Sequence, residues 1–164
     1  MARTNAGFIF AGTKNGGPPA INRYPLVAAI YKEGNVLRLS GTTGSATKAA
    51  AAGTSILGVL GCNLTSAQSS SATTGPHPVY LADGNNLFKA KMIASSTPQY
   101  KIGDTCDLGL ATTYNYRLQA TASTNVISIW GFDADEALSA HTGVEYYVAF
   151  ARSIFAQTKS DVTV

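Results

Sequence analysis

At 164 residues and 17.0 kDa the chain is the size of one globular domain, with enough length to bury a core without a metal or disulfides. Charged residues make up only 13% of it, while 25 Ala, 14 Ser and 18 Thr supply about a third, a balance that excludes a disordered polyelectrolyte and suits a protein held in an assembly. The net charge is +3 and the 12 basic residues are spread from Arg3 to Lys159, so there is no basic stripe to predict nucleic-acid binding.

Residues 1–24 carry Gly7, Gly12, Gly16, Gly17, Pro18 and Pro19, with Pro25 just beyond. That density of breakers opposes helix and most regular strand pairing, and predicts an extended N-terminal arm ahead of a domain over 25–164. Phe8, Ile9 and Phe10 are its apolar anchor. Burying them returns less than the cost of ordering the whole segment, so the arm orders only where it docks, either on a neighbour or back on its own domain. The semi-apolar patch from Ala6 to Ala11 is too brief for a signal-peptide core, and no run is long enough to span a membrane, so the chain reads as made in a cytoplasm.

From Leu26 onward short apolar runs alternate with Gly, Asn, Asp, Ser and Thr, the spacing of an all-β barrel or sandwich-like antiparallel domain. Strands are predicted at Leu26–Tyr31, Val36–Ser40 and Ile56–Leu60, the last containing Gly58, which marks a bulge or a close backbone approach. Ala49–Ala52 is too short to nucleate a helix and reads as an extended loop crossing, and Ser66–Gly75 reads as a small-polar loop. Val79–Ala82 and Leu87–Ile93 flank Asp83-Gly84-Asn85-Asn86 as a hairpin. Tyr116–Ala120 and Val126–Phe132 suggest a second hairpin about Ser123-Thr124-Asn125, with Val126, Ser128 and Trp130 on one face and Ile127, Ile129 and Gly131 on the other. One short helix fits Ala134–Ala140, capped by Asp133 and Glu136 and stopped by Gly143. Tyr146, Val148 and Phe150 alternate in the last strand.

The inventory for chemistry is thin. His77, between Pro76 and Pro78, reads as a surface-loop residue, and His141 as a helix-end residue. Asp133-Ala134-Asp135-Glu136 begins like a calcium loop, but Leu138 and Val144 stand where Gly and Glu are needed. Zinc, phosphate-loop and nucleophile-elbow spacings are missing. The expectation is therefore a protein that is not an enzyme and has no cofactor, metal or small-molecule substrate; an enzyme would have to gather His77 or His141 with Asp104, Asp107 or Asp133. Cys62 and Cys106 read as reduced and structural, with a single bridge between them left open. Tyrosine is over-supplied for recognition, with eight. The candidate partner interface is Phe8, Ile9, Phe10, Pro18, Pro19, Ile21 and Tyr24 from the arm, with Tyr114 and Tyr116 from the domain.

Three phrases carry a family likeness: Ile56-Leu57-Gly58-Val59, Tyr100-Lys101-Ile102-Gly103-Asp104 leading into a strand, and Ile129-Trp130-Gly131-Phe132-Asp133. Over roughly residues 24–133 the chain resembles the small β-barrel decoration, or cement, proteins of tailed-bacteriophage capsids. The resemblance implies a virion protein on the capsid exterior that binds the major capsid protein, assembles as a homotrimer and clamps neighbouring capsomers, with no nucleic-acid or membrane partner. In that setting the arm would cross to a neighbour, adding a strand to an exposed sheet edge. A phage tail or receptor- or glycan-binding β module shares the composition and is the alternative; it should display an aromatic cluster.

Overall fold

The computed structural model describes residues 7–41, 44–70, 75–93, 101–112, 115–120, 123–132 and 145–155. Among them the strands are β1 (Ile9–Thr13), β2 (Ile21–Tyr24), β3 (Val36–Leu39), β4 (Ala46–Lys48), β5 (Ile56–Leu60), β6 (His77–Leu81), β7 (Asn86–Lys91), β8 (Thr105–Thr112), β9 (Asn115–Gln119), β10 (Ile127–Phe132) and β11 (Glu145–Phe150), with one short helix, α1 (Ser66–Ser70). They form a six-stranded sheet in the order β1-β7-β11-β10-β8-β9 and a five-stranded sheet in the order β2-β6-β5-β3-β4. Every strand pair is antiparallel. The sheets do not close into a barrel. The fold is the sandwich-like form of the all-β class.

The main core lies between the sheets and is aromatic along one side. Phe8 stacks on Phe150 at 5.5 Å, Phe88 meets Phe150 edge-on at 5.5 Å, and Phe10 meets Phe88 edge-on at 6.2 Å. Phe10 also lies flat on Tyr80 at 4.6 Å, which joins β1 of one sheet to β6 of the other. Offset and edge-to-face contacts of this kind add to the area that the rings bury. Gly58 fulfils its expectation of a close approach, since a Cβ there would overlap the Tyr80 carbonyl oxygen.

A second apolar cluster occupies the outer face of the five-stranded sheet. Leu26, Tyr31, Leu37, Leu57, Leu60 and Val79 are buried there, with Leu64, Ile154 and Phe155 packed against them. The predicted strand Leu26–Tyr31 is instead the loop that covers this face. Its ends are tied by single bridges, Leu26 to Ala46 and Tyr31 to Leu64, and the Tyr31 hydroxyl donates to the Val27 carbonyl at 2.8 Å. Helix α1 straps the loop down, because Ser69 Oγ accepts from the Ala29 N–H at 3.0 Å and donates to the Ala29 carbonyl at 2.8 Å. That helix starts inside the stretch read as a loop. Thr65 and Gln68 cap it reciprocally, the Thr65 N–H donating to Gln68 Oε1 at 2.9 Å and the Gln68 N–H to Thr65 Oγ1 at 3.3 Å.

Both predicted hairpins are corrected. Asp83-Gly84-Asn85-Asn86 is a tight turn, with Gly84 at φ 80° and Asp83 Oδ1 accepting the Asn85 and Asn86 N–H groups. It connects β6 to β7, however, and those strands lie in different sheets. The buried Asn86 side chain makes the corner stable by donating to the Ala20 and Leu81 carbonyls at 2.9 and 3.0 Å. In the second case β8 lies between β9 and β10, so Ser123-Thr124-Asn125 spans a strand. Ala49–Ala52 is non-helical, as expected, while the helix expected at Ala134–Ala140 lies outside the described residues.

The N-terminal segment differs most from expectation. Ile9–Thr13 pairs with β7 and Ile21–Tyr24 with β6, so residues placed in an arm by their glycines and prolines are edge strands of the domain. A register shift between Phe10 and Gly12 absorbs the glycine. The anchor is a close backbone contact: the Phe8 N–H donates to the Gly34 carbonyl at 3.0 Å, and a Cβ on Gly7 would overlap that same carbonyl. Of the two arrangements open from sequence, the described part of the segment adopts the one folded back on its own domain.

Candidate binding surface

The predicted interface residues divide by burial. Phe8 and Tyr116 are each 1% exposed and belong to the main core, so neither forms a surface of this fold. Tyr116 spends its hydroxyl internally, donating to the Ala49 carbonyl at 2.7 Å. Phe10 is half-buried against the core, and Tyr24 is half-buried against the second cluster. Ile9 and Pro19 are partly covered, whereas Pro18 and Ile21 are exposed. Tyr114 lies outside the described residues.

His77 is not a surface-loop residue. The alternation of β6 turns it, with Val79, to the covered outer face of the five-stranded sheet, leaving it 4% exposed with Nε2 lacking a hydrogen-bond partner. It lies in the five-stranded sheet, whereas Asp107 lies in the six-stranded one. Asp107 is fully engaged in structure. Its carboxylate accepts the N–H groups of Ser123, Thr124 and Asn125 at 2.8–2.9 Å and the hydroxyls of Ser123 and Thr124 at 2.8 Å. Burial pushes this carboxyl up, but those hydroxyl and amide donors outweigh burial and hold it below the usual carboxylate range. Asp104 caps a turn, accepting the Lys101 N–H at 2.7 Å. His141 and Asp133 lie outside the described residues. Cys62 and Cys106 are both free, and burial, then the neighbouring Asp107, pushes the Cys106 thiol up to about 12. Among the described residues no group of three or more His, Cys, Asp or Glu could hold a metal ion.

Sequence reasoning put Trp130 on the face opposite Ile129 without identifying it as a binding residue. The structure places it on a distinct surface. Along β10, Ile127 and Ile129 are buried while Trp130 is 46% exposed. A register shift between Ile129 and Gly131 opposite β11 accommodates it. The indole Nε1 donates to Ser128 Oγ at 2.9 Å, and Lys14 Nζ sits 3.6 Å from the ring centroid. Next to it Ile9, Lys89, Tyr147 and Gly131 form one row across β1, β7, β11 and β10. The row beneath, Phe10, Phe88, Val148 and Ile129, faces the core. Lys89 Nζ lies 4.8 Å from the centroid of the Tyr147 ring. Lys91 meets Glu145 at 3.8 Å. Burial, opposed by the nearby Asp83 carboxylate, lowers the affinity of Lys14 for its proton.

A separate open groove of about 580 Å³ runs between Ile30–Lys32 and Asn63–Gln68, beside the strapped loop. Taken together, the fold and this surface define a class, a β-sandwich that presents a rigid aromatic and basic sheet face. Comparison with protein-family models, curated proteins and solved structures finds no match to this chain.

Proposed function

We propose that this protein is a structural component of a tailed-phage particle, which binds the outer surface of the assembled capsid and stabilises it by bridging neighbouring capsomers. The observation that carries the proposal is Trp130. It sits in the phrase Ile129-Trp130-Gly131-Phe132 that supports the family likeness, and it is held half-exposed on a stiff sheet face. Rigid aromatic anchors of that kind dominate protein interfaces because they bury a large area and lose little side-chain entropy. A subunit that binds only the assembled shell stabilises it by about 2.7 kcal/mol per site at a hundredfold excess over Kd, and a homotrimer would add avidity.

The arm has a different part in this reading from the one its sequence suggests. Removing residues 2–20 takes away Phe8, Phe10 and all of β1, so that deletion reports on folding rather than on attachment. The direct test separates particles on a density gradient and quantifies this protein against the major shell protein. About one copy per shell subunit, released on mild heating before the shell fails, supports the proposal. A few copies per particle would favour the tail or receptor- and glycan-binding module, the reading that the exposed Trp130 and the half-buried Tyr147 also serve. Absence from particles would end both.

A further inference from the structure

Building on the capsid reading, we infer that the outer face of β1, β7, β11 and β10 is the docking surface, and that its partner is a carboxylate-rich patch on the assembled shell. Among the described residues the face carries Lys14, Lys89 and Lys91 against Glu145, with Asp83 at its margin, a balance of one positive charge. Its charge therefore favours an acidic partner and disfavours a second copy of itself, because like charges brought together across an interface repel. Two of the ammonium groups are already poised over aromatic rings, Lys14 over Trp130 and Lys89 over Tyr147. A carboxylate arriving on this face meets a cation whose position is partly set, while the indole beside it supplies apolar area. The combination of a well-held aromatic anchor with charges beside it is what concentrates binding energy in few residues. Strand geometry keeps the face stiff, since Lys89, Lys91 and Tyr147 alternate with Phe88, Ala90, Tyr146 and Val148, which are locked in the core.

The test uses shells freed of this protein and measures rebinding of the full chain at several salt concentrations. Trp130→Ala should weaken attachment by at least about tenfold, the scale of a hot-spot truncation. Lys14→Glu combined with Lys89→Glu should weaken it further at low salt and flatten its salt dependence. Lys32→Glu, an exposed lysine beside the separate groove, should rebind like the wild type. If the wild type rebinds and both face variants rebind within about twofold of it, far short of a hot-spot loss, the docking face is wrong and the capsid reading stands. If the wild type does not rebind at any salt, both fall. If Trp130→Ala instead abolishes self-association and leaves shell binding unchanged, the face is a homotypic interface and the acidic partner is overturned. Should Trp130→Ala fail to fold, the double lysine variant, which changes side chains outside the core, decides.

Discussion

The five-stranded sheet covers its outer face with its own chain, whereas among the described residues no segment covers the outer face of the six-stranded sheet over four strands. On the first, Leu57, Leu60 and Val79 lie under Leu26 and Tyr31, and the covering loop is fastened through Ser69. On the second, the equivalent layer is Ile9, Lys89, Tyr147 and Trp130, with no strapped segment over it among the described residues. At its β8 end that face is closed, where Asp107 gathers Ser123, Thr124 and Asn125. The difference separates side chains that stabilise the monomer from side chains that remain for a partner. Apolar surface covered by the chain itself appears in folding stability, and apolar surface left open appears in binding.

Substitutions on the two faces should therefore behave in opposite ways. The largest effect is expected on the covered face: Tyr31→Ala removes a fully buried ring and its hydrogen bond to Val27, and should cost roughly 3–5 kcal/mol in denaturant unfolding. A loss below about 1 kcal/mol, well under that range, would mean that the loop is not a cover. Next comes the closed end of the open sheet. Asp107→Asn weakens charge-assisted hydrogen bonds and should cost roughly 1.5–3 kcal/mol at neutral pH. Because the folded carboxyl is held below its unfolded value, its contribution is complete above about pH 4 and disappears as the pH falls through the folded pKa. Wild type and variant should thus converge in acid, and a constant difference from neutral pH down to full acid unfolding would contradict the charge assignment. Tyr116→Phe, which loses only the bond to the Ala49 carbonyl, should cost about 1 kcal/mol by the same measurement. On the open face Trp130→Ala should move stability by no more than about 0.5 kcal/mol; a large loss there would make Trp130 a folding residue and remove the contrast.

How far the sequence shows this depends on the range of the physics involved. Alternation is local, and it places Ile127 and Ile129 inside with Trp130 outside, and Tyr146, Val148 and Phe150 inside. Turn chemistry is local too, and Asp83-Gly84-Asn85-Asn86 does turn the chain. Which strands then pair is not local. The same turn can close a hairpin or carry the chain to the opposite sheet, and here the buried Asn86 selects the second. Likewise the insertion of β8 between β9 and β10 is invisible from the segment around Ser123. Leu26–Tyr31 reads as a strand because its apolar content is real, but it is spent covering a sheet rather than extending one. Pro76 and Pro78 make His77 look like part of a loop, although it is buried in a strand of the five-stranded sheet. The candidate surface was half legible. The side on which Trp130 projects follows from alternation, while Lys14, in the turn after β1, and Lys89, on β7, reach it from segments distant in sequence.

The central claim is that the Trp130 face is covered when the protein is on its particle. Oxidative footprinting of Trp130 in intact particles, compared with the free protein, tests it most directly. The account predicts that Trp130 is strongly protected on the particle while exposed side chains away from this face, such as Ile30 at the separate groove, react as they do in solution. Equal oxidation of Trp130 in the two states, with the protein demonstrably bound to the shell, would contradict it.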